Sequence, residues 1–224
     1  MEARENLHNC GVEIVKDSSA NKCGVICSSY EIISCMLLSQ SEFTGLKDDI
    51  VKDVLVKLKQ FAESEAELLF REASNSPGIF LPDFSQRISS AMNRVKDAVA
   101  EELENCSEEE FKRFYPILRA HLPESLANHA FDRFASQVPL AYAKNIVSSS
   151  LATKIVYREG VSFIEQQNNE TIAQNAFKYL EEEMDIAKLK IQLMEGNLDE
   201  DAKETIYKIL DNGGVRTKLQ MFDK

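Results

Sequence analysis

The run V-E-I-V-K-D-S-S-A-N-K-C-G-V-I-C-S-S-Y-E, Val12 to Glu31, changes character twice. Val12-Glu13-Ile14-Val15 suits a short buried strand, and Lys16 and Asp17 end it. Ser18 to Gly24 is a loop of small and polar residues. From Val25 the apolar positions Val25, Ile26, Ile32, Ile33, Met36 and Leu37 take helical spacing. The stretch therefore reads as strand, polar loop and helix N-terminus. Such a junction collects hydrogen-bond donors, because the first turn of a helix leaves backbone N–H groups unpaired and its dipole favours carboxylate or phosphate. Asn21 adds an amide, and Ser28 and Ser29 add hydroxyls. By residue type alone, Ser18, Ser19 and Asn21 serve equally well as turn and cap residues.

A helix over Glu2–Asn9, stopped by Cys10-Gly11, precedes the strand. Helix, strand and helix in succession suggest a parallel α/β unit, whose ligands sit beyond the carboxyl ends of the strands, here at Ser18 to Gly24. One strand is not a sheet, however, and no G-x-G-x-x-G run occurs to seat a pyrophosphate.

The remainder reads as helix after helix. Ser39 and Glu42 form a capping box that opens a long helix to about Ala73, with Leu46, Ile50, Val54, Leu58, Phe61, Glu65 and Leu68 along one face. Glu65 is the polar exception on that face, placed to snorkel or to pair. Ser74-Asn75-Ser76-Pro77-Gly78 breaks the pattern. A helix from about Asp83 to Asn105 follows, turning Phe84, Ile88, Met92, Val95, Val99 and Leu103 inward. Ser107 with Glu110 is a second capping box, Pro116 a bend or an early helix position, and Val138-Pro139 a boundary. Further helices are expected over 124–137, 140–158, 172–195 and from Asp199 to Leu210. The expected organisation is a strand-loop-helix unit over 1–40, a connecting helix over 41–73, a linker over 74–83, a helical domain over 84–214 and a tail over 215–224.

Composition narrows function. The chain has 224 residues, Lys+Arg 26 against Asp+Glu 37 and a net charge of -11, which argues against a nucleic-acid partner. Hydrophobic residues at 44% and charged residues at 28%, with Gly 8 and Pro 5, describe a globular chain of long helices. No apolar run is long enough to cross a bilayer, and Met1 to His8 resembles neither a signal nor a transit peptide. A soluble intracellular protein without membrane contact is expected, with cytosol and mitochondrion both open. Cys10, Cys23, Cys27, Cys35 and Cys106 are an odd set without a C-x-x-C pair and are expected to be reduced thiols. His8, His121 and His129 are too scattered for a metal site and read as surface histidines. Ser28-Ser29 lacks the G-x-S-x-G elbow, so hydrolase chemistry has no support.

The segment A-N-K-C-G-V-I-C-S-S-Y-E resembles the one that closes the nucleotide-binding domain of glutamate dehydrogenases, where Asn, Gly-Val, Ser, an aromatic and Glu recur at this spacing. In its longer form, and in E-A-E-L-L-F-R-E at Glu65 to Glu72, it is more similar to the large NAD-specific branch than to the small hexameric one, which carries Ala-Gly where this chain has Lys22-Cys23. The resemblance covers roughly Glu2 to Glu72. It implies a mainly α chain with a short α/β remnant, the last strand of a Rossmann-like nucleotide-binding domain, followed by a helical bundle. By the same token the chain would be the C-terminal portion of an enzyme that deaminates glutamate oxidatively to 2-oxoglutarate and ammonia with NAD. The resemblance sets Asn21 against the nicotinamide end of the cofactor and Ser28 against the side-chain carboxylate of glutamate. No catalytic acid or base is assigned, since in the family these come from the substrate domain, and no turnover is expected of the chain alone. Expected partners are glutamate and NAD in the complete enzyme, with a homo-oligomer or association with full-length enzyme. The competing reading is a non-catalytic helical interaction protein derived from that enzyme and joining a full-length relative.

Overall fold

A computed structural model of the protein describes residues 2–21, 23–76, 78–206 and 209–210. Helix α1, Glu2–Asn9, stops where Gly11 turns to φ +84 and the Val12 N–H reaches back to the Leu7 carbonyl at 3.0 Å. The positive φ is costless for glycine alone, which is why the helix ends there.

The expected strand at Val12–Val15 is not formed: 12–16 is an unpaired connection, and the described residues contain no strand. An extended segment gains ladder hydrogen bonds only beside a neighbour, and none is present. Val12 and Val15 are exposed accordingly. The expected loop also differs, because Asp17–Ala20 closes a helical turn, α2, which ends as the Asn21 N–H donates to the Asp17 carbonyl at 2.8 Å.

Helix α3 spans Cys23–Leu37 and begins earlier than the apolar spacing indicated. Its inward stripe is Tyr30, Ile33, Ser34 and Leu37, whereas Val25 and Ile32 face outward at 83% and 47% exposure. Both sets are apolar at helical spacing, so periodicity alone did not choose between them.

Helix α4, Gln40–Asn75, has 36 residues and is therefore about 54 Å long. The Ser39–Glu42 capping box opens it in both directions: the Glu42 N–H donates to Ser39 Oγ, and the Ser39 N–H donates to Glu42 Oε2 at 2.8 Å. Glu42 also accepts from Arg133 Nη2 at 2.8 Å, while Arg133 Nη1 donates to the Leu37 carbonyl at 3.3 Å. That single guanidinium ties the end of α3 and the start of α4 to a distant turn, and it holds the Glu42 carboxyl well below the usual range.

A connection carrying Gly78 at φ +85 leads to α5, Leu81–Glu104, whose buried face holds Phe84, Ile88, Val95, Val99 and Leu103 as the spacing predicts. The Ser107–Glu110 capping box opens α6, Glu108–Phe111. A 3₁₀ turn, Lys112–Phe114, passes into α7, Tyr115–His121, where Pro116 occupies the first turn and costs no intrahelical hydrogen bond. Helix α8, Glu124–Ala130, a 3₁₀ turn at Phe131–Arg133 and α9, Phe134–Gln137, fill the span to Pro139.

Helix α10 covers Leu140–Glu159, and Gly160 at φ +87 turns the chain into α11, Val161–Glu165. Asn168 caps α12, Asn169–Glu195, by accepting from the Thr171 N–H at 2.8 Å. Asp199 caps a further helical stretch by accepting from the Ala202 N–H. The expected tail over 215–224 lies outside the described residues.

The bundle centres on α5, which packs most extensively against α10 and then α12, with α4 across α8 and α3. Buried residues from Tyr30 to Ile186 form one cluster. Within it Glu65 is only 2% exposed and accepts from the Tyr157 hydroxyl at 2.7 Å, so the polar exception on α4 is paired with α10. Removing that donor takes away a buried hydrogen bond, and Tyr157→Phe is expected to lower unfolding stability by about 1–3 kcal/mol in urea titration.

Candidate functional site

The turn between α2 and α3 carries the residues singled out in the sequence. Asn21 is exposed at the end of α2, where its backbone has left helical geometry at φ -128 and ψ 60. Ser28 is exposed on the second turn of α3, and its hydroxyl donates to the Gly24 carbonyl at 3.1 Å. That bond uses the serine proton while leaving the oxygen lone pairs to solvent, so the group turns outward from the bundle. Neither residue lines the enclosed space described below. A glycine-rich turn and parallel strands, the usual parts of a dinucleotide seat, are lacking among the described residues.

The opposite face of α3 borders a cavity of about 250 Å³ between α3, α4, α5, α7 and α10. Ile26, Phe61, Met92 and Ile117 supply apolar wall, while Tyr30, Lys57 and His121 supply polar groups. Tyr30 is 2% exposed and its hydroxyl has no hydrogen-bond partner. Burial, aided by the nearby Cys27 thiol, pushes its pKa up to about 12, so the group is a neutral donor near pH 7.

Its ring lies 5.4 Å from the imidazole of His121. His121 Nδ1 faces Ser150 Oγ at 3.4 Å. Burial, with the Lys57 ammonium adding to it, lowers the His121 pKa to about 4. The reading of His121 as a surface histidine is thus corrected: Pro123 ends α7 beside it and folds the chain back so that α10 closes over the ring. Nothing local in the sequence announces that, because the partners lie on α3 and α10. His129 remains exposed, 3.4 Å from Glu42 Oε1, and His8 packs against Phe80.

Lys57 reaches from α4 to the end of α7, donating to the Ala120 carbonyl at 2.8 Å. The position suits a cation, since the last carbonyls of a helix are unpaired and carry its negative dipole end. On the side away from the cavity, Asp53 accepts from the Ser125 N–H at 2.7 Å. The described residues contain no group of His, Cys, Asp and Glu able to hold a metal ion, and no helix long and apolar enough to cross a membrane.

With this geometry in view, the relatives can be placed. No protein-family model and no solved structure matches the chain. The chain is 30% identical over 174 residues to glutamate dehydrogenase 2 of Dictyostelium discoideum, a match spanning 71% of this chain and 16% of the relative. It is 26% identical over 171 residues to the NAD-specific glutamate dehydrogenase of Saccharomyces cerevisiae, with 71% and 16% covered. For the enzyme of the same description in Neurospora crassa the identity is 29% over 174 residues, with 72% and 16% covered. The likeness is thus to glutamate dehydrogenases, over one helical segment. Within that class, the chain is related to the NAD-specific glutamate dehydrogenases and spans about 16% of the length of those it matches.

The His121 environment has a measurable consequence. Unfolded, the imidazole binds its proton below its ordinary value of 6.5, whereas folded it does so only near pH 4. Between those values the unfolded chain holds the extra proton, so stability falls as pH drops from 6.5 towards 4 and is complete above that window. Imidazole NMR titration is expected to give a midpoint near 4 for His121, and a midpoint near 6.5 would show the ring to be solvated.

Proposed function

We propose that the chain is a segment of an NAD-dependent glutamate dehydrogenase, an oxidoreductase of glutamate catabolism, and that it takes no catalytic turnover by itself. The observation that carries this reading is the run of matches to proteins of that description, each across more than two thirds of this chain and a small part of the relative. In the complete enzyme NAD accepts the hydride from the α-carbon of glutamate. The exposed amide of Asn21 orients the nicotinamide end, and Ser28 offers its hydroxyl to the substrate's side-chain carboxylate. For Ser28 that requires giving up the Gly24 carbonyl, an exchange of one acceptor for a charged and stronger one. The chemistry also needs a lysine of lowered pKa and a proton-shuttling carboxylate in the substrate domain. Neither role is given to a residue here. Val12–Val15, unpaired in isolation, takes strand geometry when the sheet of a nucleotide-binding domain is beside it.

A second reading is favoured by a specific feature. Val25, Leu55 and Val56 are 83%, 60% and 57% exposed on α3 and α4. Apolar groups left in water in this way suit burial against another protein, which supports a non-catalytic chain that joins a full-length relative.

The readings separate in one set of measurements. The purified chain is expected to give no glutamate-dependent NADH above a blank, and measurable turnover would overturn the assignment of its role. Joined to the upstream domains of a relative, the chain is expected to restore activity. In that fusion Ser28→Ala should raise the KM for glutamate about 10- to 100-fold, the loss of a hydrogen bond to a charged group. Co-purification with a full-length dehydrogenase, without restored activity in the fusion, would favour the second reading.

A further inference from the structure

We infer that residues 3–21 form a detachable strap, docked on the start of α5, that opens as one unit while the helical bundle stays folded.

Burial is the first observation. Not one residue over 3–21 is buried, and the first buried side chain among the described residues is Tyr30. Leu7, Val12 and Val15 are 50%, 44% and 38% exposed. Ile14 is the best-covered aliphatic side chain of the segment, and it is only partly buried. Undocking therefore gives up little apolar contact, the main force that holds a fold together.

The polar contacts are the second observation. Between the segment and the bundle, His8 Nε2 meets the Gly78 carbonyl at 3.4 Å, Lys16 Nζ donates to Gln86 Oε1 at 2.8 Å and Ser19 Oγ donates to Ser85 Oγ at 3.0 Å. The His8 ring lies 5.3 Å from that of Phe80. Helix α2 also runs beside α4, with none of its side chains buried. Hydrogen bonds of this kind each favour docking by about tenfold or less, because water replaces them. Ser85 keeps its own proton on the Leu81 carbonyl when Ser19 leaves, and water takes the vacated lone pair.

Cooperativity is the third. The Arg4 guanidinium lies 3.8 Å from the Asp17 carboxylate and joins α1 to α2 across the connection at 12–16. Helices of eight and four residues are too short to persist without a surface to lie on. Release and unwinding therefore go together, and the amides of α1 and α2 share one opening. Docking holds Val12–Val15 between anchors at His8 and Lys16. Release frees that backbone for a sheet edge, so pairing draws on the open form. This last step rests on the dehydrogenase reading, whereas the detachment needs only this chain.

The test is native-state hydrogen exchange of the purified chain across sub-denaturing urea. The Gly11, Val12 and Asn21 amides are bonded to the His8, Leu7 and Asp17 carbonyls. They are expected to share one level of protection, at least about 100-fold below that of Val95 and Val99 in α5. Their exchange should respond little to urea, because opening exposes little surface. A Cβ at Gly11 meets no atom within 4 Å, but the residue sits at φ +84. Gly11→Ala should therefore speed strap exchange about tenfold and leave α5 unchanged. Gln86→Ala, at an exposed position, should speed it about threefold through loss of the Lys16 bond. Protection of the three amides equal to that of α5 with the same urea dependence, protection differing widely among the three, or equal acceleration of α5 by Gly11→Ala would each overturn the inference. In the fusion to upstream domains, the Val12 and Val15 amides should slow as they enter a sheet. If they do not, while the strap opens in the chain alone, the detachment stands and the pairing is overturned.

Discussion

A carboxylate removed from water in the C-terminal half of a 36-residue helix has to be answered by a donor, and Glu65 accepts from Tyr157. Burial raises the Tyr157 phenol above its ordinary range, so it stays a donor and never competes as an anion. Burying Glu65 without donors would cost several kcal/mol, and the Tyr157 hydroxyl is one donor that offsets this cost where α4 approaches α10. Two further ties act on the same helix. Glu42 joins its start to Arg133, and Lys57 joins its middle to the last carbonyls of α7. Polar side chains at three levels thus fix α4, while α5 and α10 pack into the apolar centre.

The cavity is a by-product of these ties. Lys57 and Tyr157 both line it, so the side chains that hold α4 against α7 and α10 also set the distance between its walls. Collapse would bring Lys57 closer to Lys154, which already opposes its charge. A space maintained by polar contacts at its edges resists the relaxation that closes an apolar void.

What could be read from the sequence is what chemistry decides within four residues. The Ser39–Glu42 and Ser107–Glu110 boxes and the inward face of α5 are all local, and all are present; of the two places open to Pro116, the chain takes the early helix position. The misread elements depend on distant partners. Val12–Val15 has β-favouring residues, but a strand exists only with a neighbour. The choice between Tyr30-Ile33-Leu37 and Val25-Ile32 as the inner stripe of α3 rests on where α4 lies. His121 looked ordinary because its burial is made by α3 and α10. The bidentate pair of Arg87 with Glu165, separated widely in sequence, left no local sign either.

Helix α3 presents two chemistries because successive residues advance by about 100°. Ser28 and Tyr30, two apart, point to nearly opposite sides: one faces solvent with lone pairs free, the other is sealed against His121. The wet side carries Ser28, and the dry side belongs to the bundle. Moving the helix as a body carries an event on one side to the other. Ile33 and Leu37, fully buried further along, resist that movement. Any rotation of α3 about its axis would have to repack those residues and shift Tyr30. The two faces are therefore coupled through the register of one helix, and the packing beneath Ile33 and Leu37 sets how strongly.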